Sequence, residues 1–337
     1  MFLKQFLSTL ILCCLAVQSS CGQNKQATLD SLQAAMGTLP ELSGLPPMDP
    51  QYRDTLATTA YTRYTINLTV ANKEILPVYL YIPTNKPSTD KYPAMLVLHS
   101  TGSLGKAIVD GQGDTPNRAY AKELAERGYV VIAPDYPSFG ELENYDFEHD
   151  RYESGTMKGI FNHIRCVDFL ETIEQVDTER MGVIGHSLGG HNAMFTAAFD
   201  ERLKVIVSSC GWTQLEFYDT GGTGEKLAPW AQDKYMPLLK TKYRLKQEKV
   251  PFNFHEIIRS FAPRRFISNS PIKDGNFDVK GVEEGIKKAE TAYESLGVKE
   301  KLHVFYPNAG HDFPLSVRLE VYQLIDDEFK HTLPPKN

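Results

Sequence analysis

A Gly-x-Ser-x-Gly turn between a strand and a helix constrains this chain of 337 residues more than any other feature. Residues 180–184 are short and apolar and predict a buried strand, whereas residues 191–199 predict a helix. The turn between them is Gly185-His186-Ser187-Leu188-Gly189-Gly190, and its glycines suit a bend too tight for side chains on either side of the serine. Such a turn lifts the serine hydroxyl above the sheet beside a helix N-terminus. We therefore predict Ser187 as a nucleophile, with a serine that only caps the helix as the alternative.

The composition is that of an ordinary globular protein. Hydrophobic residues make up 42% of the chain and charged residues 23%, which excludes a disordered polypeptide. The formal net charge is −6 and no dense run of Lys and Arg is present, so we expect no nucleic-acid partner. A chain of this length can bury one large core or two modest ones.

The N-terminus predicts a targeting segment. Lys4 precedes an apolar run over residues 6–17 that is too short to span a bilayer, and small residues follow at 19–22. We expect residues 1–21 to be a signal peptide and the protein to be exported to the periplasm, the outer membrane or the medium. Cys21 opens a second interpretation, attachment of a lipid as in a bacterial lipoprotein, and this would be the only membrane attachment that we expect.

Two cysteines remain inside the folded part of the chain, Cys166 and Cys210, once those of the targeting segment are set aside. Two cysteines cannot form a disulfide framework. Their apolar neighbours favour buried free thiols, and a single bridge in an oxidising compartment is the alternative.

Beyond the N-terminus the pattern is that of strands alternating with helices. Residues 22–55 carry four prolines with little periodicity and predict a tether and an irregular lead-in. Two runs of alternating polarity, 61–70 and 75–82, predict an antiparallel hairpin. Strands are then predicted at 94–98, 130–133, 180–184, 205–207, 266–268 and 302–305, and helices at 117–126, 156–173, 191–199, 282–296 and 315–331. This alternation predicts an α/β domain over residues 56–337, with a mostly parallel sheet that is covered on both faces.

A long insert at about 209–263 interrupts the alternation, and we expect it to form a cap over the carboxyl ends of the strands. The insert is rich in aromatic residues, of which Trp212 and Trp230 are candidates for substrate binding. Tyr136, just past the end of a strand, is a third candidate. The alternative is that these rings form a core that the insert needs for its own folding.

A serine nucleophile needs a base that is oriented by a third group, and this kind of turn implies the chain order Ser, Asp or Glu, His. Of the histidines after Ser187, only His311 lies in a loop directly after a predicted strand, so we predict His311 as the base. The acid should follow the preceding strand. Asp274, beside a glycine, is the favoured candidate, and Asp278 is the alternative because it could instead cap the next helix.

An oxyanion needs backbone N–H donors. The amide of Leu188, directly after the nucleophile, is one predicted donor. The loop after strand 94–98 is the expected source of the second, and we select Thr101, with room provided by Gly102. A plain flexible loop is the alternative.

These residues resemble the α/β-hydrolase superfamily, in particular its dienelactone-hydrolase-like and acetylxylan-esterase-like branch. The resemblance runs from about Tyr61 to the C-terminus, and the segments that carry it are His99-Ser100-Thr101-Gly102, Pro134-Asp135-Tyr136-Pro137, the elbow at Gly185–Gly190, Pro263-Arg264-Arg265, Asp274 and Gly310-His311-Asp312. Dienelactone hydrolases use a cysteine where this chain has Ser187. Glucuronoyl esterases are similar in outline, although their elbow typically carries an arginine where this chain has Leu188.

The resemblance implies an α/β-hydrolase fold and a serine hydrolase of carboxylic esters, with acyl groups on carbohydrate as the leading substrates. Two alternatives stay open: a serine peptidase of the prolyl-oligopeptidase type, although the chain has little room for a large N-terminal propeller, and a binding protein of the same fold without catalysis. No cluster of Cys and His has the spacing of metal ligands, so we expect no metal and no cofactor.

Overall fold

The computed structural model describes residues 25–85, 91–220 and 224–333. The predicted signal peptide and the lipidation candidate Cys21 lie outside these residues. Within them, no helix combines the length and the apolar character that crossing a membrane requires.

A single sheet of nine strands organises the described chain, in the order β1-β2-β3-β5-β4-β6-β7-β8-β9. The pairings β1–β2, β2–β3 and β3–β5 are antiparallel. The pairings β5–β4, β4–β6, β6–β7, β7–β8 and β8–β9 are parallel. The strands are β1 Gln51–Ala57, β2 Tyr61–Ala71, β3 Glu74–Pro83, β4 Tyr92–Leu98, β5 Val130–Pro134, β6 Val176–His186, β7 Leu203–Ser209, β8 Arg265–Asn269 and β9 Leu302–Phe305. The predicted hairpin, β2 and β3, is confirmed.

Helices cover both faces of the sheet, as buried parallel strands require. On one face, α2 and α8 pack against apolar side chains of the central strands. On the other face, the described part of α1 packs with α3, α4, α6 and α7. The helices are α1 at residues 25–36, α2 Tyr120–Glu126, α3 Gly155–Thr172, α4 Leu188–Phe199, α5 Leu238–Thr241, α6 Phe254–Phe261, α7 Val279–Ser295 and α8 Leu315–Phe329. The predicted fold, a mostly parallel α/β sheet, is confirmed.

The lead-in at 22–55 is more ordered than its sequence predicts. The described part of α1 buries Leu32, Ala35 and Met36 completely in the main core. These three residues have the spacing of one helical face, a signal too short to stand out before a proline-rich segment. The strand β1 also begins within this range, and all of its residues are exposed. It is an edge strand that pairs with β2, and with every side chain exposed it shows no apolar alternation that a sequence pattern could detect.

The insert between β7 and β8 contributes to the main core. Its apolar side chains, among them Leu227, Phe252 and Phe254, belong to the same buried cluster as residues of α3 and α4. The sulfur atoms of Cys166 and Cys210 are both free and buried, which confirms the favoured interpretation of these cysteines.

Candidate active site

Ser187 occupies the turn between β6 and α4 with a backbone conformation that a serine rarely adopts, φ 57° and ψ −117°. The flanking glycines make this turn possible. A Cβ atom on Gly185 would lie 2.2 Å from the carbonyl carbon of Gly189, and one on Gly189 would lie 2.1 Å from the carbonyl oxygen of Leu98. The amide of Ser187 donates to the carbonyl oxygen of Ser209 at 2.8 Å, which ties the turn to the neighbouring strand β7. The strained serine is therefore held by its surroundings.

His311 and Asp274 form a hydrogen-bonded pair at the same edge of the sheet. The Nδ1 atom of His311 lies 3.0 and 2.9 Å from the two carboxylate oxygens of Asp274. Asp274 follows β8 and His311 follows β9, so the carboxyl ends of parallel strands bring them together. Because a carboxylate only accepts hydrogen bonds, Nδ1 carries the proton and Nε2 is left with a lone pair. His311 therefore presents a proton acceptor on the side of the ring away from Asp274.

The carboxylate of Asp274 is buried and is held in place by backbone hydrogen bonds. Its side chain is 1% exposed, and its Oδ1 atom accepts the backbone amides of Asn276 and Phe277 at 2.8 and 3.3 Å. The alternative acid, Asp278, lies at the N-terminus of α7 and accepts the amide of Lys280 at 2.8 Å. Of the two candidates, the structure places Asp274 beside His311 and Asp278 at a helix cap.

A cavity of about 580 Å³ contains both Ser187 and His311 in its wall. The remaining lining comes mainly from the loop after β4 and the segment before α2. Most of its side chains are polar. They are Ser100, Thr101, Ser103, Gln112, Asp114, Thr115, Arg118, His186 and Asn276, together with the apolar Leu104 and Ile108 and two glycines. Among the residues that the structure describes, those of the 209–263 insert do not line this cavity.

The two predicted oxyanion donors are Leu188, at the start of α4, and Thr101, in the loop after β4. Leu188 is the first residue of α4, where an amide has no acceptor within the helix. Thr101 lines the cavity together with Ser187, and its hydroxyl is 3.4 Å from that of Tyr235 in the insert. Stabilisation of a developing oxyanion requires backbone amides of this kind near the nucleophile, so the role of Leu188 and Thr101 stays a prediction.

The loop that carries His311 is held by contacts that sequence analysis missed. The carboxylate of Asp312 accepts Arg118 Nη1 and Asn117 Nδ2, each at 2.8 Å. The carbonyl oxygen of Asp312 accepts the Cys210 thiol at 3.2 Å and Asn269 Nδ2 at 2.9 Å. Asp312 is adjacent to His311 and could have been suspected from the sequence. Its partners come from three other elements and carry no local signal.

The ring of His186 lies beside that of His311, with 4.9 Å between the ring centres. Its Nδ1 atom is 2.9 Å from the hydroxyl of Ser209, and the side chain is buried. Burial, together with the positive charges of Arg118 and His311, lowers the pKa of His186 well below its usual value. His186 therefore stays neutral and adds no charge next to His311.

The three rings predicted to bind substrate lie in packed surroundings. Trp212 is 1% exposed and donates its indole N–H to Ser268 at 2.9 Å. Trp230 is 6% exposed and stacks on Tyr218 with 4.5 Å between ring centres. Tyr136 is 3% exposed and donates its hydroxyl to the carbonyl oxygen of Lys234 at 2.7 Å. The structure brings none of these three to the wall of the described cavity, because each ring is occupied in packing.

Known proteins with similar sequences include hydrolases and a carbohydrate esterase. The chain is 27% identical over 271 residues to the Bacillus subtilis (strain 168) protein named "Putative hydrolase YtaP", covering 77% of this chain and 86% of that protein. It is 26% identical over 214 residues to carbohydrate esterase MZ0003 from an unknown prokaryotic organism, covering 57% of this chain and 48% of that protein. This chain thus spans about half the length of the second relative.

Solved structures share the fold. A glucuronoyl esterase from Solibacter usitatus superposes with a TM-score of 0.69 at 16% identity, covering 90% of this chain and 92% of that chain. Acetyl xylan esterases also occur among the structures with this fold. These structures therefore share the α/β-hydrolase fold that the predicted resemblance implies.

A sequence profile described as the prolyl oligopeptidase family matches residues 117–327, which include Ser187, Asp274 and His311. The match extends over more than half of the chain and runs from the segment before α2 to the last helix. The strand order of the sheet and the turn at Ser187 both agree with an α/β-hydrolase fold. The chain is an α/β-hydrolase that belongs to the prolyl oligopeptidase family.

Proposed function

We propose that the protein is an exported serine hydrolase that cleaves carboxylic esters, and that acyl groups linked to carbohydrate are its substrates. The observation that carries this proposal is the contact of His311 Nδ1 with the Asp274 carboxylate at 2.9 Å. His311 lies in the wall of the cavity that is also lined by Ser187. A serine, a histidine and a buried carboxylate in this chain order have the roles of nucleophile, base and orienting group.

In the proposed reaction, Ser187 Oγ attacks the carbonyl carbon of the ester while its proton passes to Nε2 of His311. The amides of Leu188 and Thr101 stabilise the negative oxygen of the tetrahedral intermediate. The intermediate collapses, the alcohol leaves with the proton from His311, and the acyl group stays on Ser187. Water then attacks the acyl-enzyme by the same route, releasing the acid and restoring the serine hydroxyl.

Carbohydrate as the alcohol is supported by the cavity. Its wall offers hydroxyl, amide and guanidinium groups from Ser103, Gln112, Thr115, Arg118 and Asn276 beside the nucleophile. These groups can donate and accept hydrogen bonds with the hydroxyls of a sugar. A relative at 26% identity is named as a carbohydrate esterase, which supports the same substrate class.

A serine peptidase is the second candidate, and the match to the prolyl oligopeptidase family favours it. The same nucleophile and base would serve an amide substrate, since both reactions pass through an acyl-enzyme. The distinction therefore lies in the leaving group, which the cavity must accommodate.

The deciding experiment compares acetylated xylan, p-nitrophenyl acetate and a prolyl peptide anilide as substrates of the purified protein. We expect hydrolysis of both esters and little of the anilide; the reverse order would favour the peptidase. A fluorophosphonate probe followed by peptide mass spectrometry should label Ser187 alone. Absence of labelling together with absence of hydrolysis would favour a binding protein of the same fold.

Export is proposed from the charge and apolar run of residues 1–21. Expression of the full chain in a bacterium followed by fractionation should place the protein outside the cytoplasm. Incorporation of labelled palmitate that is lost in Cys21→Ser would show lipid attachment. Export with no incorporation would instead support cleavage of a plain signal peptide.

A further inference from the structure

A thiol lies against the pair of Asp274 and His311. Among the residues that the structure describes, Cys210, Asp274 and His311 form the one group of Cys, His and acidic side chains whose ligand atoms lie within 4.8 Å of one another. The three residues directly follow β7, β8 and β9 or lie in the loops after them. Three adjacent parallel strands therefore deliver one sulfur, one carboxylate and one imidazole to the same place.

We propose that Cys210, Asp274 and His311 bind a borderline-soft divalent cation such as Zn²⁺, and that binding of the cation blocks catalysis. Thiolate sulfur, imidazole nitrogen and carboxylate oxygen are the three ligand types that proteins offer to Zn²⁺. At the usual ligand distances, the donor atoms of a tetrahedral site lie roughly 3–4 Å apart. A shift of about 1 Å in these side chains would therefore close the site around the ion.

The site adjoins the cavity through one of its three ligands. The side chain of His311 is 26% exposed and lies in the wall of the cavity, whereas the side chain of Asp274 is 1% exposed and Cys210 is 2% exposed. The positive charge of Arg118 acts on Cys210, and this guanidinium is paired with the carboxylate of Asp312 at 2.8 Å. The Asp274 carboxylate thus supplies negative charge to the site, with the thiolate formed on binding as the second negative ligand.

A metal ion in the site would stop the reaction because it changes which nitrogen of His311 carries the proton. Neutral His311 carries one proton, which sits on Nδ1 in the hydrogen bond with Asp274. When the metal takes the lone pair of Nδ1, that proton moves to Nε2, and the Cys210 thiol releases its own proton to the solvent. Nε2 then has no lone pair for the proton of Ser187, so no acyl-enzyme can form. This second part of the inference rests on the proposed function, whereas metal binding itself does not.

Binding is tested without any assay of activity, with Co²⁺ as a spectroscopic substitute for Zn²⁺. The Ser187→Ala protein titrated with Co²⁺ should develop the near-ultraviolet charge-transfer band of a sulfur–cobalt bond, and Zn²⁺ should remove it at one equivalent. Cys210→Ser should lose the band and weaken Zn²⁺ binding by at least about 10–100-fold, the loss that changes to outer-shell partners alone produce. Cys166→Ser, which removes the other buried thiol, and Cys21→Ser are the matched controls and should keep the band. A band that persists in Cys210→Ser, or no band in any variant, would overturn the site.

Inhibition is tested on the protein with Ser187 intact. Zn²⁺ should inhibit ester hydrolysis by the parent protein and EDTA should restore it, whereas the same Zn²⁺ concentration should not change the activity of Cys210→Ser from the level that this variant shows without Zn²⁺. Cys210→Ala replaces Cys210→Ser if the serine variant does not fold. Binding at the site without inhibition would overturn the second part alone. If no ester is hydrolysed by any variant, the proposed function fails, and the Co²⁺ titration still decides whether the metal site exists.

Discussion

Backbone strain at Ser187 and the hydrogen bond between His311 and Asp274 are the residue-scale features on which the proposed chemistry depends. A positive φ of 57° at a serine persists only where the surrounding chain imposes it. Here the close approach of Gly185 and Gly189 imposes it, and the hydroxyl is left in the wall of the cavity. The local conformation thus leaves Ser187 in the wall of the same cavity as His311.

Removal of the nucleophile should abolish hydrolysis without unfolding the protein. Ser187→Ala is expected to lower kcat on p-nitrophenyl acetate by roughly 10⁴–10⁶, because the members of such a triad act as a unit. The melting temperature should stay close to that of the parent. Ser103→Ala, on the wall of the same cavity, is the control and should keep kcat within a few-fold. Substantial activity in Ser187→Ala would exclude it as the nucleophile.

The orienting acid should be Asp274. Asp274→Asn is expected to lower kcat by about 10²–10⁴, because the imidazole loses the charge that stabilises its protonated form. Asp278→Asn is the matched control four residues on, and since asparagine also caps helices it should change kcat little. Steady-state kinetics of the two variants decide the assignment, and the opposite ranking would move the acid to Asp278.

At the scale of elements, the insert between β7 and β8 has two roles, packing into the core and contact with the loop after β4. Its aromatic composition alone does not show which residues have which role. Most of its rings pack into the main core, in contact with α4 and α6. The hydroxyl of Tyr235, by contrast, reaches that of Thr101 at 3.4 Å. The insert therefore contacts the loop after β4 through Tyr235 and the loop of His311 through Cys210, while its tryptophans stabilise the fold.

Truncation of Trp212 should test the core role of the insert. Trp212→Ala is expected to destabilise the protein by about 3–5 kcal/mol, because it removes a buried ring and the hydrogen bond from its indole N–H to Ser268. Urea denaturation measures the loss. Any fall in kcat/KM should be similar for p-nitrophenyl acetate and acetylated xylan. A loss confined to the polysaccharide, with unchanged stability, would instead make Trp212 a substrate-binding residue.

Helix α1 should contribute to stability although it precedes the sheet. Leu32→Ala is expected to cost about 2–5 kcal/mol in the free energy of unfolding, because Leu32 is fully buried in the main core. Asp30→Ala on the exposed side of the same helix is the control and should change the free energy of unfolding little. Equal, small effects of both changes would show that α1 does not support the folded domain.

For the whole molecule, buried histidines link folding to pH. Burial lowers the pKa of His163 to about 3, and burial also lowers that of His191 to about 3 although a backbone hydrogen bond opposes it. The unfolded chain has ordinary histidines with a pKa near 6.5 and takes up protons first on acidification. Both groups therefore contribute their full stability above pH ~6.5 and lose it progressively as the pH falls toward ~3.

The expected slope is about 1.4 kcal/mol per pH unit for each such histidine over this window. Urea denaturation at several pH values between neutral and mildly acid conditions measures it. His163→Gln should reduce the slope, since glutamine does not titrate and can still bond to Thr196. His149→Gln is the control, because the side chain of His149 is 76% exposed. A slope that is unchanged in His163→Gln would show that His163 is not the group that titrates.

Features whose signals are local could be predicted from the order of residues in the chain. The Gly-x-Ser-x-Gly turn predicts the bend at Ser187 because steric crowding acts between residues that are close in the chain. The alternation of apolar strands with amphipathic helices predicts the parallel sheet, and the order of its strand ends predicts that His311 and Asp274 meet. Each of these depends on residue type and spacing within one or two elements.

Contacts between distant segments could be recognised only in the folded molecule. The Arg118–Asp312 ion pair joins residues 194 positions apart, and no local pattern encodes such a pairing. The proximity of Cys210 to Asp274 and His311 likewise depends on the order of β7, β8 and β9 in the sheet. Whether a tryptophan packs in the core or faces a ligand depends on which surface the folded chain places against it, because the same apolar ring suits either environment. The edge strand β1 escaped detection because all of its side chains are exposed and its backbone bonds to β2 leave no apolar pattern in the sequence.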